Sequence, residues 1–174
     1  MPASERLFFA LWPSVAVRKQ IAGYRNTLPE QRGRRLADAD LHLTLVFLGK
    51  VGADQRAMLT MRAASLDVRP FTLMLDRCGW WPHNGVLWLA PAMIPEALRG
   101  LQKELTVYSG ECGLEIDARD YSPHLSLYRD VKRAPEILPL PAIRWPVKDF
   151  TLVRSDTRPD GAHYTVLQRW RLGN

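Results

Sequence analysis

The sequence predicts an α+β fold, drawn as a bilobal, internally duplicated pseudo-dimer: two antiparallel sheets flanked by helices, with a central cleft. Two observations carry it. Apolar runs of strand length alternate with stretches of helical spacing along all 174 residues. Three landmarks also recur at nearly one interval: Pro13 to Pro91 is 78 residues, His42 to His124 is 82, and Phe71 to Phe150 is 79. The expected organisation is therefore one bilobal domain, 1–174, made of two interleaved pseudo-repeats at about 1–85 and 86–174.

The elements follow in order. Residues 6–12 are aromatic and aliphatic, stop at Pro13 and read as a buried strand. Ser14 is the expected N-cap of a helix whose Val17, Ile21, Tyr24 and Leu28 share one face. Residues 41–48 read as a strand closed by Gly49. Asp54 caps a second helix carrying Met58, Met61 and Leu66. Phe71–Leu75 and Val86–Ala90 read as strands flanking a turn-rich segment with Pro82 and Asn84-Gly85. From Val86 the strand, proline, helix order of the N-terminus returns, with Pro91 in the place of Pro13. His124-Leu125-Ser126-Leu127 answers His42-Leu43-Thr44-Leu45, and Phe150-Thr151-Leu152 answers Phe71-Thr72-Leu73. Residues 135–141 hold Pro135, Pro139 and Pro141 and form an extended connector.

Composition narrows the class. The chain is 47% apolar and 24% charged, which suits a globular protein and not a disordered one. No apolar run approaches the roughly 18 residues that cross a bilayer. The first residues are not expected to act as a secretory signal. Cys78 and Cys112 make neither a disulfide framework nor a Cys-x-x-Cys pair, so a reducing cytoplasm is the expected setting. The 24 Lys and Arg exceed the 18 Asp and Glu by six, which points to an anionic partner.

The chemistry sits in two histidine motifs. Residues i and i+2 of a strand face the same way. His42 and Thr44 therefore share one face with Leu43 and Leu45 behind, and His124 and Ser126 repeat the arrangement. If the two strands meet in one groove, it holds two acid–base groups and two hydroxyl donors. That set suits phosphodiester chemistry. One imidazole takes a proton from an attacking water and the other protonates the departing oxygen. The hydroxyls bind the non-bridging oxygens as charge builds. The scheme calls for no metal and no other cofactor. His163-Tyr164-Thr165-Val166 also fits the pattern, but its counterpart 80 residues earlier, His83, is followed by Asn84-Gly85 and lacks the hydroxyl. His83 and His163 are accordingly read as hairpin histidines.

At these residues the chain resembles the two-histidine phosphoesterases, and among them the RNA 2′,3′-cyclic phosphodiesterases, also called 2′-5′ RNA ligases. The resemblance extends to residues 6–11, 85–89, 150–155 and 164–172, and so to nearly the whole length. It implies hydrolysis of an RNA 2′,3′-cyclic phosphate to a 2′-phosphate, without metal or ATP, and 2′-5′ joining by the reverse chemistry. It assigns His42 as general acid, His124 as general base, and Thr44 and Ser126 as phosphate ligands. Arg129, five residues after the second histidine, matches a family arginine and is a further phosphate ligand. Ser126 stands where threonine is commoner and lacks the methyl that stiffens χ1. Phe47 and Tyr128 follow the motifs and are candidates for stacking on a terminal base. Trp80-Trp81 are candidates for the cleft wall, and Lys132 and Arg133 for RNA contact.

Other functions fit part of this pattern. A related phosphoesterase acting on a small cyclic nucleotide would share the phosphate chemistry. A non-catalytic RNA-binding module would not require both histidines and both hydroxyls. A histidine-ligated metal protein ranks last, because no further ligand accompanies either motif at a ligand-like spacing. The expected partners are RNA ends or cyclic nucleotides, and no membrane. The expected state is a monomer, since the pseudo-dimer supplies both half-sites. The basic excess concentrates in residues 18–35, where Arg18, Lys19, Arg25, Arg32, Arg34 and Arg35 face the single acid Glu30. Residues 32–35 are expected to form a loop that guides RNA toward the cleft.

Overall fold

The computed structural model describes residues 4–30, 32–159 and 161–173. Strand β1 (Glu5–Leu11) leads into helix α1 (Val15–Thr27), then β2 (Arg34–Arg35), a 3-10 turn (Asp38–Asp40), β3 (Leu43–Val51) and α2 (Ala53–Ala64). Strands β4 (Phe71–Leu75), β5 (Arg77–Trp81) and β6 (Val86–Ala90) precede α3 (Glu96–Glu111). The chain closes with β7 (Leu125–Arg129), β8 (Ile143–Val147), β9 (Asp149–Arg158) and β10 (Gly161–Arg171). Among the described residues no helix is long and apolar enough to cross a membrane.

The first helix forms as its sequence dictates. Ser14 accepts a hydrogen bond from the Val17 amide at 3.3 Å, and Val17, Ile21 and Tyr24 are buried. The second differs. Its N-cap is Gly52, with Asp54 inside the first turn, and its buried residues are Leu59 and Ala63. Met58 and Met61 are 44% and 70% exposed. A one-residue offset explains this: Leu59 and Ala63 are four apart and form the inward stripe, so the methionines turn outward. Helix α3 begins after the Pro91 break and buries Leu98, Leu101 and Leu105. Residues 135–141 carry no regular element, and the Tyr24 hydroxyl donates to the Leu138 carbonyl at 2.8 Å, which ties this connector to α1.

The α+β class holds, but the sheets are arranged differently from two equal layers. One antiparallel sheet runs β10-β9-β1-β3-β7-β6-β5, with β2 beside β7, and a separate two-stranded ribbon pairs β4 with β8. The halves of the large sheet touch at one residue pair, Leu43 with Leu125. Strand β7 then takes β2 as its neighbour, pairing Arg34 with Arg129 and Arg35 with Tyr128. Since β6 occupies the other edge of β7, β2 displaces β3 and the two halves part. The basic residues 34 and 35 are therefore strand, not loop.

Two of the three landmark matches occupy like places. Pro13 and Pro91 each separate a strand from a helix, and His42 and His124 each sit one residue before a strand. The third does not: Phe71 lies on β4 in the ribbon, whereas Phe150 lies on β9 in the large sheet. Both triplets are strand sequence with a phenylalanine and a leucine on one face, and the topology gives β4 the partner β8 instead. The segment read as turn-rich contains β5. Its Gly79 lies under the Trp88 ring, where a Cβ would come within 2.3 Å of ring carbon.

The two faces of the large sheet are distinct. One joins the helices and ribbon in a continuous core that includes Phe9, Leu43, Leu45, Leu125 and Leu127. The other carries a small cluster of Phe8, Ala10 and Val153, with Trp12 and Tyr164 packed against it. The candidate site residues His42 and Thr44 lie toward this second face, beside Phe8.

Candidate active site

The geometry starts from Leu43 and Leu125. Both are fully buried and face each other across the junction. Cross-strand partners share a face, and their chain neighbours point the other way. His42, Thr44, His124 and Ser126 are therefore turned together toward the face opposite the main core. Antiparallel register sets His42 beside Ser126 and Thr44 beside His124, so the two histidines lie on a diagonal, for which Cα separations run about 7–8 Å.

Two β-bulges extend the pattern. Thr44 pairs with Ala10 and Val46 with Phe9, which leaves Leu45 as an extra residue. Phe47 then pairs with Phe8 and stands on the cleft face, 45% exposed. Strict alternation from His42 would have put Val46 there and Phe47 in the core. On β7, Ser126 pairs with Trp88 and Tyr128 with Leu87, so Leu127 is the extra residue. Tyr128 thus joins Leu87 in the main core and is no base-stacking residue of the cleft. Arg129 faces the cleft in its stead. The positions matching Phe47 and Arg129 are both five residues after a histidine.

This face carries two adjoining pockets, together the candidate cleft, that share Phe47 and Arg129. One, about 190 Å³, holds His42, Thr44 and Tyr164. The other, about 400 Å³, holds His124, Ser126, Trp81 and His83. The buried Arg129 Nε has no hydrogen-bond partner among the described residues. Arg6 lies over the Phe47 ring at 4.9 Å.

Each imidazole is held the same way. His42 Nδ1 lies 2.6 Å from the Asp40 carbonyl oxygen, and His124 Nδ1 lies 2.9 Å from that of Ser122. A carbonyl only accepts, so both Nδ1 atoms carry the proton and donate it. In the neutral rings Nε2 is then the open lone pair. Their surroundings differ. His42 stacks on Trp12, with centroids 5.0 Å apart and planes 3° apart, and touches Phe8 and Tyr164 at 5.0 and 4.9 Å. Burial lowers its pKa to about 4, opposed by the Asp40 bond, and the positive fields of Arg129 and His124 lower it further. His124 is half-buried, with Trp81 edge-on at 4.6 Å. Desolvation and Arg129 lower its pKa as well, against the Ser122 bond.

Several contributors carry no motif. Phe8 on β1, Trp12 just past its end and Tyr164 on β10 reach His42 because of strand pairing that sequence spacing does not reveal. The Tyr121 hydroxyl donates to the Thr44 carbonyl at 3.2 Å and braces one half-site against the other. Of the tryptophan pair, Trp81 lines the cleft, whereas Trp80 packs on the core and donates to the Val131 carbonyl at 3.3 Å. His83 is an exposed turn residue at the cleft rim, and His163 lies on β10 beside Asp40. Lys132 and Arg133 lie away from the histidines with Arg32. Arg25 is wholly buried, pairs with Asp38 and donates to the Leu36 carbonyl at 2.7 Å. It fastens the segment that delivers His42 and offers no charge to a ligand. Among the described residues no group of three or more His, Cys, Asp and Glu is placed to hold a metal ion.

Known proteins resemble this chain in sequence and in fold. The sequence profile of the 2′-5′ RNA ligase superfamily matches residues 12–159. The chain is 37% identical to the RNA 2′,3′-cyclic phosphodiesterase of Escherichia coli K12, over 99% of each protein. It is 34% identical to the RNA 2′,3′-cyclic phosphodiesterase of Thermus thermophilus, over 96% of this chain and 90% of that one. The crystal structure of E. coli LigT complexed with 3′-AMP superposes with a TM-score of 0.92 at 34% identity, covering 99% of this chain and 100% of the other.

Proposed function

Since this chain belongs to the 2′-5′ RNA ligase superfamily, we propose that it hydrolyses RNA 2′,3′-cyclic phosphate ends to 2′-phosphates, as one bilobal domain, monomeric, with a histidine from each half. The observation that carries this reading is the set of four side chains on one face of the Leu43–Leu125 junction, each histidine with Nε2 open.

The step balances without a metal. His124 Nε2 takes a proton from water as the water oxygen bonds to phosphorus. The bond from phosphorus to the 3′ oxygen breaks, and His42 Nε2 supplies the proton that oxygen needs. Thr44 and Ser126 donate to the non-bridging oxygens, and Arg129 offsets their charge. Before the phosphate arrives, both imidazoles are neutral near pH 7, because both pKa values are lowered. The phosphate anion counteracts the field of Arg129, so His42 takes up a proton from solvent at Nε2 as the substrate binds and holds it for the 3′ oxygen. A terminal 5′ hydroxyl in the place of water would yield a 2′-5′ linkage by the same step.

The test uses EDTA-treated protein and an oligonucleotide ending in a 2′,3′-cyclic phosphate. A 2′-phosphate product is expected, and His42→Ala and His124→Ala should each lower kcat by about 100-fold or more. A 3′-phosphate product would exchange the acid and base roles. Activity lost in EDTA and restored by zinc would overturn the metal-free step. Full activity in both variants would overturn the site.

A further inference from the structure

Trp12 has a second role in the architecture. Besides stacking on His42, it lines a groove of about 500 Å³ together with Arg18, Trp145, Lys148, Val166 and Arg169. The groove continues the cleft. On the cleft face of β10, Ala162 and Tyr164 line the His42 pocket, and Val166 lines the groove. The Tyr164 and Trp12 rings meet edge to face at 6.5 Å between the two.

Its charge is suited to a polyanion. Arg18, Lys148 and Arg169 face one carboxylate, Asp149, which is paired with Arg169 at 2.6 Å. Arg18 reaches the Ala39 carbonyl at 3.5 Å through one nitrogen. The other basic surfaces are more nearly compensated. Arg34 and Arg35 each lie 3.7 Å from a carboxylate, of Asp130 and Asp38. Arg32, Lys132 and Arg133 share their groove with Glu30 and Glu136 and have no aromatic neighbour there. Single-stranded nucleic acid is held where cations track the backbone and aromatic rings receive bases. The groove beside Trp12 combines both and adjoins the reacting end.

We propose that this groove holds the nucleotides preceding the terminal one in a single-stranded RNA substrate, with their phosphates on Arg18 and Lys148. The inference rests on the RNA-end reading of the site. It implies that kcat/KM rises from a mononucleotide 2′,3′-cyclic phosphate to an oligonucleotide with the same end.

The test compares adenosine 2′,3′-cyclic phosphate with an oligoadenylate ending in the same group, on the unmodified protein and on the double variant Arg18→Gln, Lys148→Gln. The variant should lose about 10-fold in kcat/KM on the oligonucleotide, and its salt slope should flatten by about 1.4, the value for two phosphate contacts on a single strand. Its activity on the mononucleotide should stay within about two-fold, which also reports correct folding. Equal losses on both substrates, or no loss on either, would overturn the groove. So would a length-dependent loss found in the triple variant Arg32→Gln, Arg34→Gln, Arg35→Gln and absent from the double one. Absence of activity on both substrates in the unmodified protein would instead refute the RNA-end reading itself.

Discussion

His42 is enclosed by Phe8, Trp12 and Tyr164, whereas His124 meets Trp81 along one edge and is half-open. Both rings nevertheless donate Nδ1–H to the carbonyl two residues earlier, and both precede a strand with a bulge. The backbone device is thus repeated, and the side chains around it are not. At the fifth position after the histidine, one half-site offers the aromatic Phe47 and the other the cation Arg129. The repeated part fixes where the proton donors and acceptors point. Under the proposed function, the unlike part would give matching frames two different tasks, Phe47 receiving a flat apolar group and Arg129 an anion.

The largest expected effect that tests this division is at the fifth positions. Arg129→Ala should lower kcat/KM by about 10–100-fold on any cyclic phosphate, the scale of a lost charge-assisted hydrogen bond. Phe47→Ala should raise KM by about 10-fold on substrates with a base and leave the hydrolysis step little changed, because stacking is worth about 1–3 kcal/mol. If the two variants show the same split between kcat and KM, the division of tasks is wrong.

Acid titration separates the two halves by a smaller amount. With the His42 pKa lowered to about 4, the unfolded chain binds a proton that the folded chain refuses between about pH 6.5 and 4. His42 therefore weakens the fold progressively as pH falls through that window, by at most about 3 kcal/mol, and has no such effect above it. Urea unfolding of His42→Phe should show a flatter loss of stability between pH 7 and 4 than the parent. His124→Phe should flatten it less, since that ring is half-open to water. The same lowered values place the kcat/KM optimum below about pH 6.5, the ordinary histidine value. An optimum above pH 7 would contradict both rings' environments.

Much of this site was legible in sequence, and the reason is local. The i, i+2 rule needs no partner strand, so His42, Thr44, His124 and Ser126 could be placed on a face from spacing alone. The rule fails one bulge later. Nothing in Leu45-Val46-Phe47 or Leu127-Tyr128-Arg129 announces an extra residue, because a bulge is set by the partner strand's register. Hence Tyr128, a candidate for stacking because it follows the second motif, lies in the core, and Arg129 takes the place equivalent to Phe47. The α+β class followed from element periodicity, but not the single sheet, since one Leu43–Leu125 pair decides whether two sheets are one. Likewise the charge of residues 18–35 could be counted but not assigned. Burial removes Arg25 from the surface, and Arg34 and Arg35 have acidic neighbours from other segments.

The smallest expected effect concerns the one position where the two motifs differ without a division of labour, Thr44 against Ser126. Ser126 is buried and paired across the sheet with Trp88, so its hydroxyl is steered by packing where Thr44 has its own methyl to restrict χ1. If the frame is repeated to the level of these hydroxyls, Ser126→Thr should change kcat by less than about three-fold, because the donor stays and only rotamer freedom changes. Ser126→Ala, which removes the donor, should cost more, on the order of 10-fold. A Ser126→Thr loss as large as that of Ser126→Ala would mean that Trp88 leaves no room for the methyl. The two hydroxyl positions would then be equivalent in sequence and not in space.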